Sequence, residues 1–234
     1  MSGGERPVEG FRQHRFTAPT GATRVLLVRH GESAPAVPGA PFPLRDGHGD
    51  PELHPDGVRQ AELVGERLAA SEPVEAVYVT TLRRTQQTAA PLAAALGLEP
   101  RVEADLREVH LGEWEGGELR VRAAAGDPVF AEVLRRQRWD VIPGAEPLDD
   151  FDARLQRGLA RIVAAHPDRT VAAFVHGGVI GQLLAHATGA AGFAFAGADN
   201  GSISELVVVG DRQLLRRFND TAHLDDPAHL SGRG

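Results

Sequence analysis

Two histidines each stand at the end of an apolar run and are each followed by glycine: Val28-Arg29-His30-Gly31 and Val175-His176-Gly177-Gly178. A neutral imidazole attacks phosphorus well when one ring nitrogen is held protonated and the other faces the substrate. Arg29 beside His30 offers a fork of donors that suits phosphate oxygens, and Gly31 lets the backbone come close to an anion. His176, at a second strand end, is a candidate phosphate ligand, because a bound dianion would remove the repulsion between two protonated rings. Arg84 lies in the first turn of a predicted helix, where free N–H groups and the helix dipole already favour an anion. The link from Leu106 to Gly116 crowds Glu108, Glu113 and Glu115 together. A carboxyl beside a bound phosphate dianion can keep its proton and act as a general acid. Taken singly, these residues have plainer uses: Arg83-Arg84 as a solvated helix face, and Glu113, Glu115, Glu118 and His110 as loop surface.

These groups can meet only if the elements carrying them converge. Thr23–Val28 reads as a buried first strand. Residues 33–55, rich in Pro, Gly, Asp and His, read as a long surface loop without regular structure, of the kind that often serves function. Pro55-Asp56-Gly57 opens a helix reaching about Ala70. Val74–Thr80 is a second strand, Thr81 is the expected cap of a helix from Leu82 to Leu96, and Gly97 stops it. Pro100–Leu106 is expected to be extended. A helical insertion spans 118–144, and a further helix runs from Leu148 to Ala165. Thr170–Val175 is a strand, a helix begins near Val179, and Ser202–Val209 and Gln213–Phe218 close the pattern as two strands. Strands alternating with helices predict a three-layer α/β/α sandwich around a mostly parallel sheet, in which ligands bind beyond the carboxyl ends of the strands. The expected organisation is a flexible tail over 1–22, one domain over 23–218, and a C-terminal tail over 219–234.

Composition narrows the chemistry further. With no cysteine in 234 residues, disulfides, thiolate metal sites and a cysteine phosphatase mechanism are excluded. No lysine occurs either, which removes Schiff-base and P-loop lysine chemistry. A net charge of −7 disfavours nucleic acid as a partner. No apolar h-region opens the chain and no apolar run is long enough to span a membrane. The expectation is a cytoplasmic protein with a small-molecule partner; oligomeric state is not legible.

Five segments arrive in an order that resembles the histidine phosphatase superfamily, the phosphoglycerate-mutase-like proteins. The family's RHGE stands at Arg29–Glu32. Its L-x-x-x-G-x-x-Q-A stretch is matched by Leu53, Gly57, Gln60 and Ala61. Its S-x-L-x-R-A-x-x-T-A stretch is matched by Thr80, Leu82, Arg84, Thr85, Thr88 and Ala89. Its L-x-E-x-x-x-G-x-W-E-G is intact from Leu106 to Gly116, and its late S-H-G-G falls at Val175–Gly178. The resemblance covers about Arg24 to Val209 and implies the phosphoglycerate-mutase-like fold.

It also implies roles. His30 would be the nucleophile that becomes phosphohistidine. Arg29, Arg84, His176 and the Gly177 N–H would hold the phosphoryl oxygens, and Glu108 would be the acid and then the base. Neither cofactor nor metal is implied, since arginines supply the charge. Ser33 and the pair Arg135-Arg136 are candidate substrate contacts, the pair lying roughly where mutases carry a substrate-binding Arg pair. After Ser33, Ala34-Pro35 replaces the Trp-Asn of true mutases, which favours a phosphomonoesterase acting on a small phosphorylated metabolite. The alternatives are a mutase with the same chemistry and a catalytically silent binding module on the same fold.

Overall fold

The computed structural model describes residue 11 and residues 13–225. Its centre is β1 (Thr23–Arg29), whose side chains alternate between two cores. Val25 and Leu27 face one core with Phe151, Leu155 and Leu183; Leu26 and Val28 face the other with Val64, Leu68 and Leu92. A strand buried on both faces reads as a continuous aliphatic run for this reason.

On either side of β1 lie β6 (Thr170–Val175), parallel to it, and β7 (Ile203–Val209), antiparallel. β4 (Val74–Val79), β5 (Arg101–Val102) and β8 (Arg212–Asp220) complete the order β5-β4-β6-β1-β7-β8. α1 (Pro55–Ser71) and α2 (Arg83–Leu96) cover one face; α5 (Leu148–Ala165) and α6 (Gly177–Thr188) cover the other. The result is the expected α/β/α arrangement with a mostly parallel sheet. β1 and β6 run side by side in register, with Arg29 opposite Val175. That register delivers both histidines to one edge.

The connections differ in places from the sequence reading. Residues 33–55 are not wholly irregular. β2 (Leu44–Arg45) and β3 (His48–Gly49) form a short hairpin around Asp46-Gly47, both at positive φ, the turn chemistry that closes two-residue hairpins. Thr81 does not cap α2. The position before the helix is Leu82, and the Thr81 hydroxyl is buried without a partner. Thr80 Oγ1 instead accepts from Leu82 N at 3.3 Å. Pro100–Leu106 is extended only at β5; a 3₁₀ turn follows over Ala104–Leu106, closed by Glu103 accepting from Asp105 N. α6 starts at Gly177, two residues early, and β8 runs through Asp220, into the expected tail.

The insertion is two short helices, α3 (Glu118–Ala124) and α4 (Pro128–Arg136), over a small core of Trp114, Val133 and Ile142. Half of the expected N-terminal tail, residues 1–10 and 12, lies outside the described residues, as does 226–234. Within the described part, the Phe16 ring sits beneath the Arg216 guanidinium at 3.9 Å. Among the described residues, no helix is long and apolar enough to cross a membrane.

Candidate active site

His30 follows β1 at the sheet edge, its N–H donating to Val175 O at 3.0 Å. Its ring is specified from both sides. Nδ1 lies 2.7 Å from the Gly31 carbonyl oxygen, so it carries the proton, and Arg84 Nε–H points at Nε2 from 3.2 Å, so that atom is the bare lone pair. Burial holds His30 well below the usual histidine pKa, and the Arg84 and Arg29 charges push the same way. The ring is therefore the neutral, nucleophilic form.

The backbone is pinned as tightly. Gly31 N donates to Thr88 Oγ1 at 3.0 Å, Thr88 donates to Arg84 O at 2.6 Å, and Asn200 Nδ2 donates to His30 O at 2.9 Å. Any Cβ on Gly31 would overlap the Gly57 carbonyl oxygen. Strand end and α1 can therefore touch only through glycines.

His176, fully buried, meets His30 edge to face at 5.2 Å between ring centroids. Its Nε2 lies 3.1 Å from Thr80 Oγ1, and its Nδ1 has no partner. Burial, then the neighbouring Arg84 and His30, keep it neutral as well. Arg29 Nη1 donates to Ala198 O while its Nε is buried and unpartnered. Arg84 sends Nη1 to Gly49 O at 2.9 Å. Burial lowers its pKa to about 10, which leaves it charged at neutral pH.

Glu108 faces the same space: Oε2 accepts from Gly178 N at 3.1 Å and Oε1 from Val109 N at 3.0 Å. A side chain at Gly178 would displace that carboxylate, and a Cβ on Gly177 would crowd Arg29 Nε at 3.3 Å.

Arg29, His30, Arg84 and Glu108 line one cavity of about 170 Å³, with Trp114, Leu119 and Trp139 among its apolar wall. An anion entering it meets three guanidinium groups, Arg29, Arg84 and Arg120, and an unprotonated imidazole nitrogen, a set fitted to phosphoryl transfer. Among the described residues, the one group of three metal-ligand side chains is Glu32, His54 and Asp56, none of which lines this cavity.

Three expected substrate contacts are placed elsewhere. Arg135 and Arg136 are exposed and both pair with Glu132, at i+3 and i+4 on α4. Val133 faces the small core, which puts Arg135, two residues on, on the opposite side of α4, while Arg136, the last residue of the helix, pairs with Glu132 in solvent. Ser33 is buried and does not line the cavity; its Oγ accepts from Arg120 Nη2 at 2.7 Å.

Other residues at the site escaped the sequence reading. Arg120 lines the cavity from α3, held by Ser33 and by Ala34 O at 3.0 Å. His48, on the hairpin, places Nε2 3.1 Å from Glu108 O. Thr88 was visible within a motif but without a role, while Arg120 and His48 lay in segments with no pattern to single them out.

A family model for the histidine phosphatase superfamily (branch 1) matches residues 25–221. The chain is 33% identical to phosphoglycerate mutase-like protein 4 of Arabidopsis thaliana over 214 residues, covering 90% of this chain and 91% of that one. It is 33% identical to glucosyl-3-phosphoglycerate phosphatase of Mycobacterium tuberculosis, covering 70% and 74%. Among solved structures, Bacillus stearothermophilus YhfR superposes with a TM-score of 0.74 at 25% identity, covering 87% of this chain and all of that one.

Proposed function

The chain belongs to the histidine phosphatase superfamily and is a histidine-dependent phosphatase; on that premise we propose that it hydrolyses small phosphomonoesters in two steps through a phosphohistidine at His30. The observation that carries this reading is the ring's fixed tautomer, with Nδ1 on Gly31 O and an unprotonated Nε2 inside a cavity lined by three arginines.

Nε2 attacks phosphorus as the bond to the leaving oxygen breaks, and Glu108 gives that oxygen its proton. Arg29, Arg84, His176 and the Gly177 N–H take the three spreading phosphoryl charges. Two unpartnered buried atoms, Arg29 Nε and His176 Nδ1, are the donors a phosphoryl group would satisfy. For His176 this requires the Thr80 hydroxyl to donate to Nε2, leaving the proton on Nδ1. Water then attacks phosphorus, Glu108 takes its proton, and the P–N bond breaks to release phosphate and restore His30. The arginine charges serve where other phosphatases place a metal, so chelation should leave the rate unchanged. A cysteine-free chain suits the reducing cytoplasm, where we place it.

Arg135 and Arg136, the residues that would have favoured a mutase, face solvent. The test is rapid quenching during turnover of ³²P-labelled p-nitrophenyl phosphate. Acid-labile, base-stable label on the peptide containing His30 is expected; label on serine or aspartate, or none, overturns the reading. Incubation with 3-phosphoglycerate, with and without a bisphosphate primer, separates hydrolysis from mutase transfer.

A further inference from the structure

A second cavity, of about 230 Å³, adjoins the one over His30. The two share Arg29, Glu108, Leu119 and Trp139, but His30, Arg84 and Arg120 belong to the first alone. Its floor is the start of α6, hollowed by Gly177, Gly178 and Gly181. Its wall includes Phe193, whose ring stacks on Trp139 at 4.8 Å between centroids, and Ala196 at the exposed rim. Arg29 and Glu108 are its only charged groups, and both are engaged in the phosphoryl chemistry above. Gln182, a further polar side chain in the lining, gives one amide N–H to Asp152 at 2.8 Å.

Direction follows from the chemistry. A displacement at phosphorus expels its leaving group on the side opposite the attacking nitrogen. The second cavity meets the first at Arg29 and Glu108 and leaves out His30, so it offers room for what the leaving oxygen carries. Glu108, whose Oε2 accepts from Gly178 on this floor, stands where the leaving oxygen must take its proton. A carboxylate, ammonium or second phosphate carried into this cavity would lose its water and meet no charged side chain beyond Arg29 and Glu108. An apolar group gains by burial, and the volume exceeds the roughly 150 Å³ that holds a benzene ring.

We propose, resting on the phosphatase reading, that this cavity seats the organic part of the substrate. The preferred class is then an uncharged, largely apolar phosphomonoester, a single-ring aryl or medium-chain alkyl phosphate.

The experiment measures kcat/KM for methyl, propyl, hexyl and phenyl phosphate, with 3-phosphoglycerate as the charged comparison. For wild type the value is expected to rise along the alkyl series by up to about fourfold per methylene, and to be lowest, relative to size, for 3-phosphoglycerate. Ala196→Phe, filling the cavity from its exposed rim, and Phe193→Ala, removing one wall, are each expected to lower the hexyl-to-methyl ratio. Inhibition by inorganic phosphate should stay unchanged in both, showing an intact phosphoryl site. A flat alkyl series, a ratio indifferent to both variants, or a preference for 3-phosphoglycerate over propyl phosphate overturns the inference while leaving the phosphatase reading intact. Failure to hydrolyse any ester, p-nitrophenyl phosphate included, strikes at the phosphatase reading itself.

Discussion

Arg154 Nη2 donates to the main-chain carbonyl of Glu108 at 2.8 Å. The same guanidinium gives Nη1 to Asp105 O and Arg107 O, both at 2.7 Å, and is locked by Glu146 through Nε at 2.7 Å and Nη2 at 2.8 Å. One buried side chain on α5 thus holds three carbonyls of the segment that presents the proposed acid. His48 adds a fourth constraint from the hairpin. A planar five-donor fork can do this; an ammonium cannot.

Arg154→Lys keeps the charge and loses the fork. It should slow hydrolysis of alkyl phosphates by up to about 100-fold, the scale of a ~1 Å misplacement, while affecting p-nitrophenyl phosphate much less. Combined with Glu108→Gln, its catalytic effect should largely vanish, because both act through one proton transfer. Equal, additive losses on both substrates would mark Arg154 as a purely structural residue.

Glu108→Gln alone should lower kcat by about 10²–10⁴-fold for alkyl phosphates, the usual range for general acid catalysis, and far less for an aryl ester whose oxygen leaves unaided. His30→Ala should abolish turnover of both. Steady-state kinetics on the two substrate types measures the contrast.

The double variant Arg135→Ala/Arg136→Ala should keep kcat/KM within about twofold of wild type, since exposed charges outside the cavity act through screened solvent. Arg120→Gln, at a cavity-lining position, should raise KM or lower kcat measurably. The reverse ranking would restore the Arg pair to substrate binding.

His176 is buried as the neutral ring, with a pKa well below 6.5. The unfolded chain takes up a proton there as pH falls through that value, and the folded chain does not, so stability is complete above 6.5 and lost below it. Between about pH 7.5 and pH 5.5 this one group should remove about 1.4 kcal/mol from the folding free energy. His176→Asn should shrink the pH dependence by that amount in urea unfolding. An unchanged slope would mean that the ring charges in the folded state.

Much of the site was legible because its logic is local. His30, Gly31 and Arg29 sit on one strand end, Arg84 on one helix start, and Glu108 in one intact motif, so the family resemblance could single them out as candidates. Strand–helix alternation likewise implied the sheet, because hydrophobic period reflects burial directly. What the chain order could not supply was long-range convergence. Ser33 meets Arg120 across 87 positions, and Arg154 meets Glu108 across 46. Nothing near either residue in sequence encodes its partner. Arg135 faces solvent because Val133, two residues before it, is buried in the small core, a choice made by packing. Sequence alone thus determined which groups are candidates for chemistry at phosphorus. The tertiary structure decided which arginines reach that chemistry and which hold it in place, because a side chain's role depends on what the fold packs against it.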